Sequence, residues 1–255
     1  MTDDVHYEVH DAVGVLSFNR PQSRNAMTFA MYEAVRETCA ALTADGPVRA
    51  LVLRGSGGRA FAAGTDMSQF RAFETPEDAW AYEERIEAVL TTLEKCPVPT
   101  IAAITGACTG GGAGIAGACD IRIATPSLRF GFPIARTLGN CLSIANLARL
   151  VGLMGIGRVS EMLLTARLLG AEEAQAAGVV SEIVEDADAR AIELAGTLAG
   201  HAPLTMRATK EGLRRLKAAD RPDDRDLVAM CYTSRDFKEG IEAFLGKREP
   251  EWSGT

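Results

Sequence analysis

The chain has 255 residues, 47% of them hydrophobic and 24% charged, the make-up of a globular protein of one large domain or two small ones. Lys and Arg number 27 against 34 Asp and Glu, a net charge of −7, which excludes a general pull toward nucleic acid or an anionic membrane. No apolar run reaches the ~18 residues of a membrane span. The opening MTDDVHYEVH has no apolar stretch of the secretion-signal kind, so a cytoplasmic protein is expected.

The first predicted strand is Val13 to Phe18, ended by Asn19-Arg20-Pro21. Met27, Met31, Val35, Cys39 and Leu42 then recur at near-helical spacing. Val48 to Leu53 is a short apolar run between turn signals and predicts a second strand. A glycine-rich loop, Gly55 to Gly58, leads to Ala60-Phe61-Ala62-Ala63-Gly64-Thr65-Asp66-Met67. Tyr82, Ile86, Val89, Leu90 and Leu93 make a helical face closed by Pro97 and Pro99. Ile101 to Ile104 is a buried strand that runs into Gly110-Gly111-Gly112, and Ile121 to Ala124 is another. Beyond Asn140 almost everything reads as helix, with Asn140 itself placed to cap one. Strands alternating with helices predict an α/β layered fold. It is read as a core over residues 1–200 followed by a helical region over 201–255.

Little conventional chemistry is available. The six cysteines are scattered with no CxxC, so neither a disulfide framework nor a zinc site is expected. None of the three histidines, His6, His10 and His201, lies near a nucleophile motif. Carboxylates are unevenly placed: from Lys95 to Ser160 the only one is Asp120, against Lys95, Arg122, Arg129, Arg136, Arg149 and Arg158. Two glycine turns stand out, Ala63-Gly64-Thr65-Asp66 and Gly110-Gly111-Gly112. Glycine lets a ligand approach main-chain N–H groups closely, and a helix N-terminus adds partial positive charge. Two such groups on one carbonyl oxygen would make an oxyanion hole; on spacing alone, tight helix–strand packing is the better explanation of the glycines. No phosphate-loop pattern is present.

Taken together, the chain resembles the crotonase superfamily, the enoyl-CoA hydratase/isomerase family. The motifs that carry the resemblance run in order from residue 5 to 252. They are Asn19-Arg20-Pro21 with Arg24-Asn25-Ala26-Met27, the Ala60 to Met67 segment, and Gly110-Gly111-Gly112 with Cys119-Asp120-Ile121. Phe130-Gly131-Phe132-Pro133, Ala171 to Ala174 with Gly178-Val179-Val180, and Asp236 to Arg248 complete the set. The resemblance implies a spiral of ββα turns with a C-terminal helical trimerisation region, as a homotrimer or dimer of trimers. It implies an acyl-CoA thioester substrate of the kind fatty-acid metabolism uses, with no cofactor beyond the CoA the substrate carries. It places the oxyanion-hole N–H groups at Thr65 and Gly111 and Ala63 along the CoA. Arg24 would lie near the CoA phosphates, with Ala26, Asp66 and Met67 on the same side. Phe244 and Lys247 would close over CoA from a neighbouring subunit. Asp66 is read mainly as a brace for its loop, and Asp120 as a buried structural acid.

The sequence departs from the family at the proton-transfer groups. Hydratases of this family use two glutamates; their positions here are Gly114 and Ile134. The second is also the glutamate that the family's isomerases typically keep. Other groups in this stretch are Arg136, Asn140, Ser143, Cys108 and Cys141, with Arg136 the tentative choice for a catalytic role. Glu74, Glu77 and Asp78 could bring a carboxylate in from the segment after Met67. The expectation is an acyl-CoA lyase or isomerase that is not a standard hydratase. Two alternatives are a hydratase with an unrecognised acid–base group and a non-catalytic acyl-CoA binding protein.

Overall fold

The computed structural model describes residues 3–218 and 225–251. Its strands are β1 (Val5–His10), β2 (Val13–Phe18), β3 (Ala50–Gly55), β4 (Ala60–Ala63), β5 (Thr100–Ile104), β6 (Ala107–Thr109), β7 (Ile121–Ala124), β8 (Arg129–Gly131) and β9 (Glu182–Ile183). Its α-helices are α1 (Phe29–Ala41), α2 (Pro76–Glu94), α3 (Gly111–Ala118), α4 (Ile134–Thr137), α5 (Ile144–Leu164), α6 (Ala171–Ala176), α7 (Ala187–Ala199), α8 (Pro203–Ala218), α9 (Arg225–Tyr232) and α10 (Arg235–Leu245).

One sheet runs β1-β2-β3-β5-β7-β9 and a smaller one β4-β6-β8. Apart from the β1–β2 hairpin, every pairing is parallel. The chain therefore lays one strand in each sheet and crosses by a helix to the next pair. The turns β3-β4-α2 and β5-β6-α3 are followed by β7-β8 and the helices beyond, giving the ββα spiral of a crotonase-like α/β fold.

Side-chain alternation along the strands builds the layers. Val13, Val15, Ala50, Val52, Ile101, Ala103 and Ile123 face one way, onto Ala187, Ala191 and Ala195, a stripe of small residues four apart on α7. Leu16, Phe18, Leu51, Leu53, Ala102 and Ile104 face the other way, onto Phe61, Ala62 and the interior helices. The glycine-rich α3 is buried on nearly every side, so packing offsets its poor helix propensity.

Strand and helix order follow the sequence reading, except that β4, β6 and β8 of the small sheet were not predicted, and in three further respects. The β1 strand was not anticipated: it is an exposed edge whose residues past Val5 show little burial. The short β9 interrupts the helical second half. The cap of α5 is Ser143, which accepts from the Asn146 N–H, rather than Asn140. Of the 201–255 region, residues 219–224 and 252–255 lie outside the described residues, as do 1–2 of the core.

Candidate active site

Register in the small sheet sets the site. Ala63 pairs with Thr109, and Thr109 with Gly131, so the three chains leave the sheet side by side. They continue as Gly64-Thr65, Gly110-Gly111 and Phe132-Pro133-Ile134, and all seven residues line one cavity of about 160 Å³. An ideal Cβ on Gly110 would lie 3.3 Å from the Gly64 Cα, so the first two loops abut. Gly110 has φ +50 in this turn, a conformation that L side chains rarely adopt. At Gly111 the reason for glycine is space: a Cβ would fall 1.7 Å from the Tyr32 hydroxyl and 2.9 Å from Thr65 Oγ1.

The two predicted donors are held in place by main-chain bonding. Met27 bridges Thr65 in parallel fashion, its N–H donating to the Gly64 carbonyl at 2.8 Å and its carbonyl accepting from Asp66 N–H at 2.8 Å. That leaves the Thr65 N–H itself turned away from Met27 and without an acceptor among the described residues. Gly111 is the first residue of α3, where N–H groups have no intrahelical partner. Two neighbouring main-chain donors at one wall, with a helix N-terminus behind them, suit an oxygen on which negative charge develops.

The Arg24 to Met27 motif is the brace for this loop. Asn25 is fully buried, takes the Arg20 N–H at 2.9 Å and donates to the Ser56 and Ala60 carbonyls. Arg20 reaches the Ala26 carbonyl at 2.7 Å and the Asp66 carboxylate at 3.1 Å. Asp66 also accepts from the Ser68 N–H and hydroxyl, as the cap of the short helix Met67–Phe70. Burial pushes its pKa up, but the Ser68 and Arg20 hydrogen bonds outweigh this and hold the carboxyl below its usual range. These contacts make Asp66 a brace of its loop. Asp120 likewise bonds Thr100 and pairs with Lys210, though it is more exposed than expected.

Other predicted residues fall in different places. Ala63 and Met67 line the cavity, and Arg24 is exposed beside it, its carbonyl accepting from the Ala63 N–H at 3.0 Å. Arg136 is exposed in the last turn of α4 and does not line the cavity, because that helix turns Ile134 inward and its residue-136 face outward. Lys247 is exposed with φ +53. Phe244 lines the cavity of its own chain while 53% exposed. Phe237 and Ile241 of α10 bury against Met67, Phe70 and Tyr232, seating the helix on its own site. The cationic bias of the Lys95–Ser160 stretch is largely spent internally. Arg122 is buried against the carbonyls of Ala116, Cys119 and Val179, Arg149 pairs with Glu87 and Glu94, and Arg158 with Glu161 and Glu173.

The cavity is also lined by Gly114 and Ile134, by Ile86 and Leu90 of α2, and by a cluster of polar groups. Tyr32 and Thr65 hydroxyls lie 2.8 Å apart, with Tyr82 3.4 Å from the same Thr65 oxygen. Glu83 accepts from the Tyr232 hydroxyl at 2.6 Å, and Asn140 donates to that hydroxyl at 3.1 Å. Burial pushes all three tyrosine hydroxyls up, away from ionisation, and the Glu83 charge acts in the same direction on each. Glu83 was missed in the sequence, where attention fell on Glu74, Glu77 and Asp78. Asp78 instead caps α2 at Thr75, out in solvent.

The profile of the Enoyl-CoA hydratase/isomerase family matches residues 8–255. The chain belongs to this family, within the crotonase superfamily. A probable enoyl-CoA hydratase of Rhodobacter capsulatus is 34% identical over 256 residues, covering 98% of both chains. Among solved structures, an enoyl-CoA hydratase/carnithine racemase from Magnetospirillum magneticum superposes with a TM-score of 0.81 at 32% identity, covering 100% of this chain and 97% of the other. A methylmalonyl-CoA decarboxylase in complex with 2-nitronate-propionyl-CoA reaches a TM-score of 0.89 at 25% identity over 100% of both chains. This family member thus matches relatives whose names span hydration and decarboxylation of CoA thioesters.

Proposed function

We propose that this family member is an acyl-CoA thioester enzyme that stabilises the enolate of its substrate at the Thr65 and Gly111 N–H groups, and that it is not a two-glutamate hydratase. What supports the reading is that these donors share a cavity with Gly114 and Ile134, the positions where the family resemblance puts the hydratase glutamates. General acid–base groups contribute about 10²- to 10⁴-fold, so hydration by the usual route is largely forfeited while carbonyl polarisation is kept. Isomerisation and decarboxylation both pass through an enolate. No Lys, Arg or His stands among the described residues that line the cavity, which favours an apolar acyl chain over one ending in a carboxylate. Ala63, Met67 and the nearby Arg24 would follow the CoA, which is the only coenzyme required.

Assembly as a homotrimer or dimer of trimers in the cytoplasm fits the apolar side chains that α5 and α8 leave exposed. Ile156, Leu164, Leu204 and Leu216 are each more than 70% accessible in the single chain.

Incubation with a panel of acyl-CoAs, followed by mass spectrometry, tests the reading. Conversion of at least one non-hydration substrate, or exchange of its α-hydrogen with D2O, is expected. Stoichiometric binding without conversion or exchange would make the protein an acyl-CoA carrier. Fast hydration of crotonyl-CoA would make it a hydratase.

A further inference from the structure

Glu83 is the only carboxylate among the described residues that line the cavity. It lies on α2 three residues before Ile86 and seven before Leu90, and this spacing puts all three on one helix face. The apolar wall that receives the acyl chain is therefore interrupted by one acid. Two residues from distant parts of the chain hold that acid. Tyr232, 149 positions away on α9, donates its hydroxyl to Glu83 at 2.6 Å. Asn140, in the loop before α5, donates to the Tyr232 oxygen at 3.1 Å. The Tyr232 side chain is buried, so the donor cannot swing out to solvent. This is the arrangement of an orienting group behind a proton carrier, base held by donor, donor held by a third residue.

We propose that Glu83 is the proton-transfer residue of this site, positioned by Tyr232 and Asn140, and that it moves hydrogen along an apolar acyl chain of a CoA thioester. The proposal rests on the reading given under Proposed function. The Glu83 carboxylate takes a proton from the carbon next to the thioester carbonyl. The C–H electron pair passes to the carbonyl oxygen, giving an enolate held by the Thr65 and Gly111 N–H groups. The carboxylic acid so formed returns the proton two carbons further along as the electron pair flows back from oxygen. A β,γ double bond thereby becomes an α,β double bond, with no oxidant, reductant or water consumed. One acid suffices, because the same group removes and returns the hydrogen. The negative charge of Glu83 also repels a substrate carboxylate at this end of the cavity, consistent with the lack of cations in its lining.

The test uses the purified protein with cis-3-hexenoyl-CoA in D2O, following conjugation of the thioester by absorbance and deuterium uptake by mass spectrometry. Wild type is expected to convert it. Glu83→Gln, which keeps the Tyr232 hydrogen bond, should lower kcat by about 10²-fold or more with KM within a few-fold. Tyr232→Phe keeps the ring but removes a donor that favours the charged carboxylate, so the acid limb of the kcat/KM profile should move to higher pH. Among the described residues, the Glu83 charge raises the pKa of Tyr32, Tyr82 and Tyr232, from α1, α2 and α9. All three are held neutral by burial, so none of them supplies the acid limb. Turnover of Glu83→Gln within a few-fold of wild type would overturn the proposal while leaving the enolate reading intact. An unmoved acid limb in Tyr232→Phe would overturn the positioning role. A wild type that converts no acyl-CoA at all would overturn both readings together.

Discussion

The two walls of the cavity are built by different means. The wall proposed to polarise the carbonyl is main chain: two N–H groups on loops whose places are fixed by pairing of Ala63 with Thr109 in a parallel sheet. The wall that would move protons is side chain: Glu83, Asn140 and Tyr232, carried by α2, a loop and α9. The donors of the first wall are main-chain groups, so they can stay the same while side chains that do not crowd Gly111 change. The second can be rewritten by single substitutions. A family that shares the first wall can therefore host several reactions, and the reaction must be read from the second.

Breaking the main-chain wall should have the largest effect. Gly111→Ala puts a Cβ where the Tyr32 hydroxyl stands, so the start of α3 must shift and the donor with it. Loss of one such donor costs about 10²- to 10³-fold in kcat, measurable against acyl-CoA binding by calorimetry, which should change far less. Adding Tyr32→Phe should recover part of the stability lost in Gly111→Ala, read as Tm. The opposite experiment rewrites the second wall. A Cβ at Gly114 would meet only Leu90, at 3.7 Å, so Gly114→Glu has room. Gly114→Glu combined with Ile134→Glu should raise crotonyl-CoA hydration by about 10²-fold over wild type, followed by loss of enoyl absorbance. No gain would mean that the first wall is not a working carbonyl site.

Smaller effects sharpen the border between the walls. Arg136→Ala should leave turnover within about twofold, since this exposed residue lies off the cavity. Asp66→Asn should act on stability. The folded-state carboxyl sits below its usual range, so it contributes stability above the ordinary Asp value of about 3.9 that is lost as pH falls through the lower folded value. The variant should therefore have a lower Tm near neutral pH, with the difference from wild type shrinking below about pH 4.

The same contrast explains what could be read from the sequence. Gly64, Thr65 and Gly110 to Gly112 announce themselves because a tight turn and a close approach restrict the residue choice locally, and the motif spells out the loop. The strands from Val13, Ile101 and Ile121 were legible because they are buried on both faces and bounded by turns. Glu83 was not found, because the residues that give it meaning are 57 and 149 positions away. What could have exposed it was its place on the face of Ile86 and Leu90, an acid where the helix pattern wants an apolar residue. Arg136 drew attention by proximity to a motif, yet a four-residue helix is enough to turn its side chain to solvent. The placement of α10 depended on Phe237 and Ile241 meeting Met67 and Phe70, a contact that helical periodicity alone does not specify.

The pairing of Ala63 with Thr109 has one further consequence. Successive residues of a strand are about 3.3 Å apart, longer than the hydrogen bond that each donor must make. Sliding β4 by one residue against β6 would carry the Thr65 donor out of reach of an oxygen held by Gly111. The proposed hole would thus be a digital feature of the alignment between two strands. Point changes around it act as dimmers, whereas a single-residue insertion or deletion in Ala60–Ala63 or Ala107–Thr109 acts as a switch.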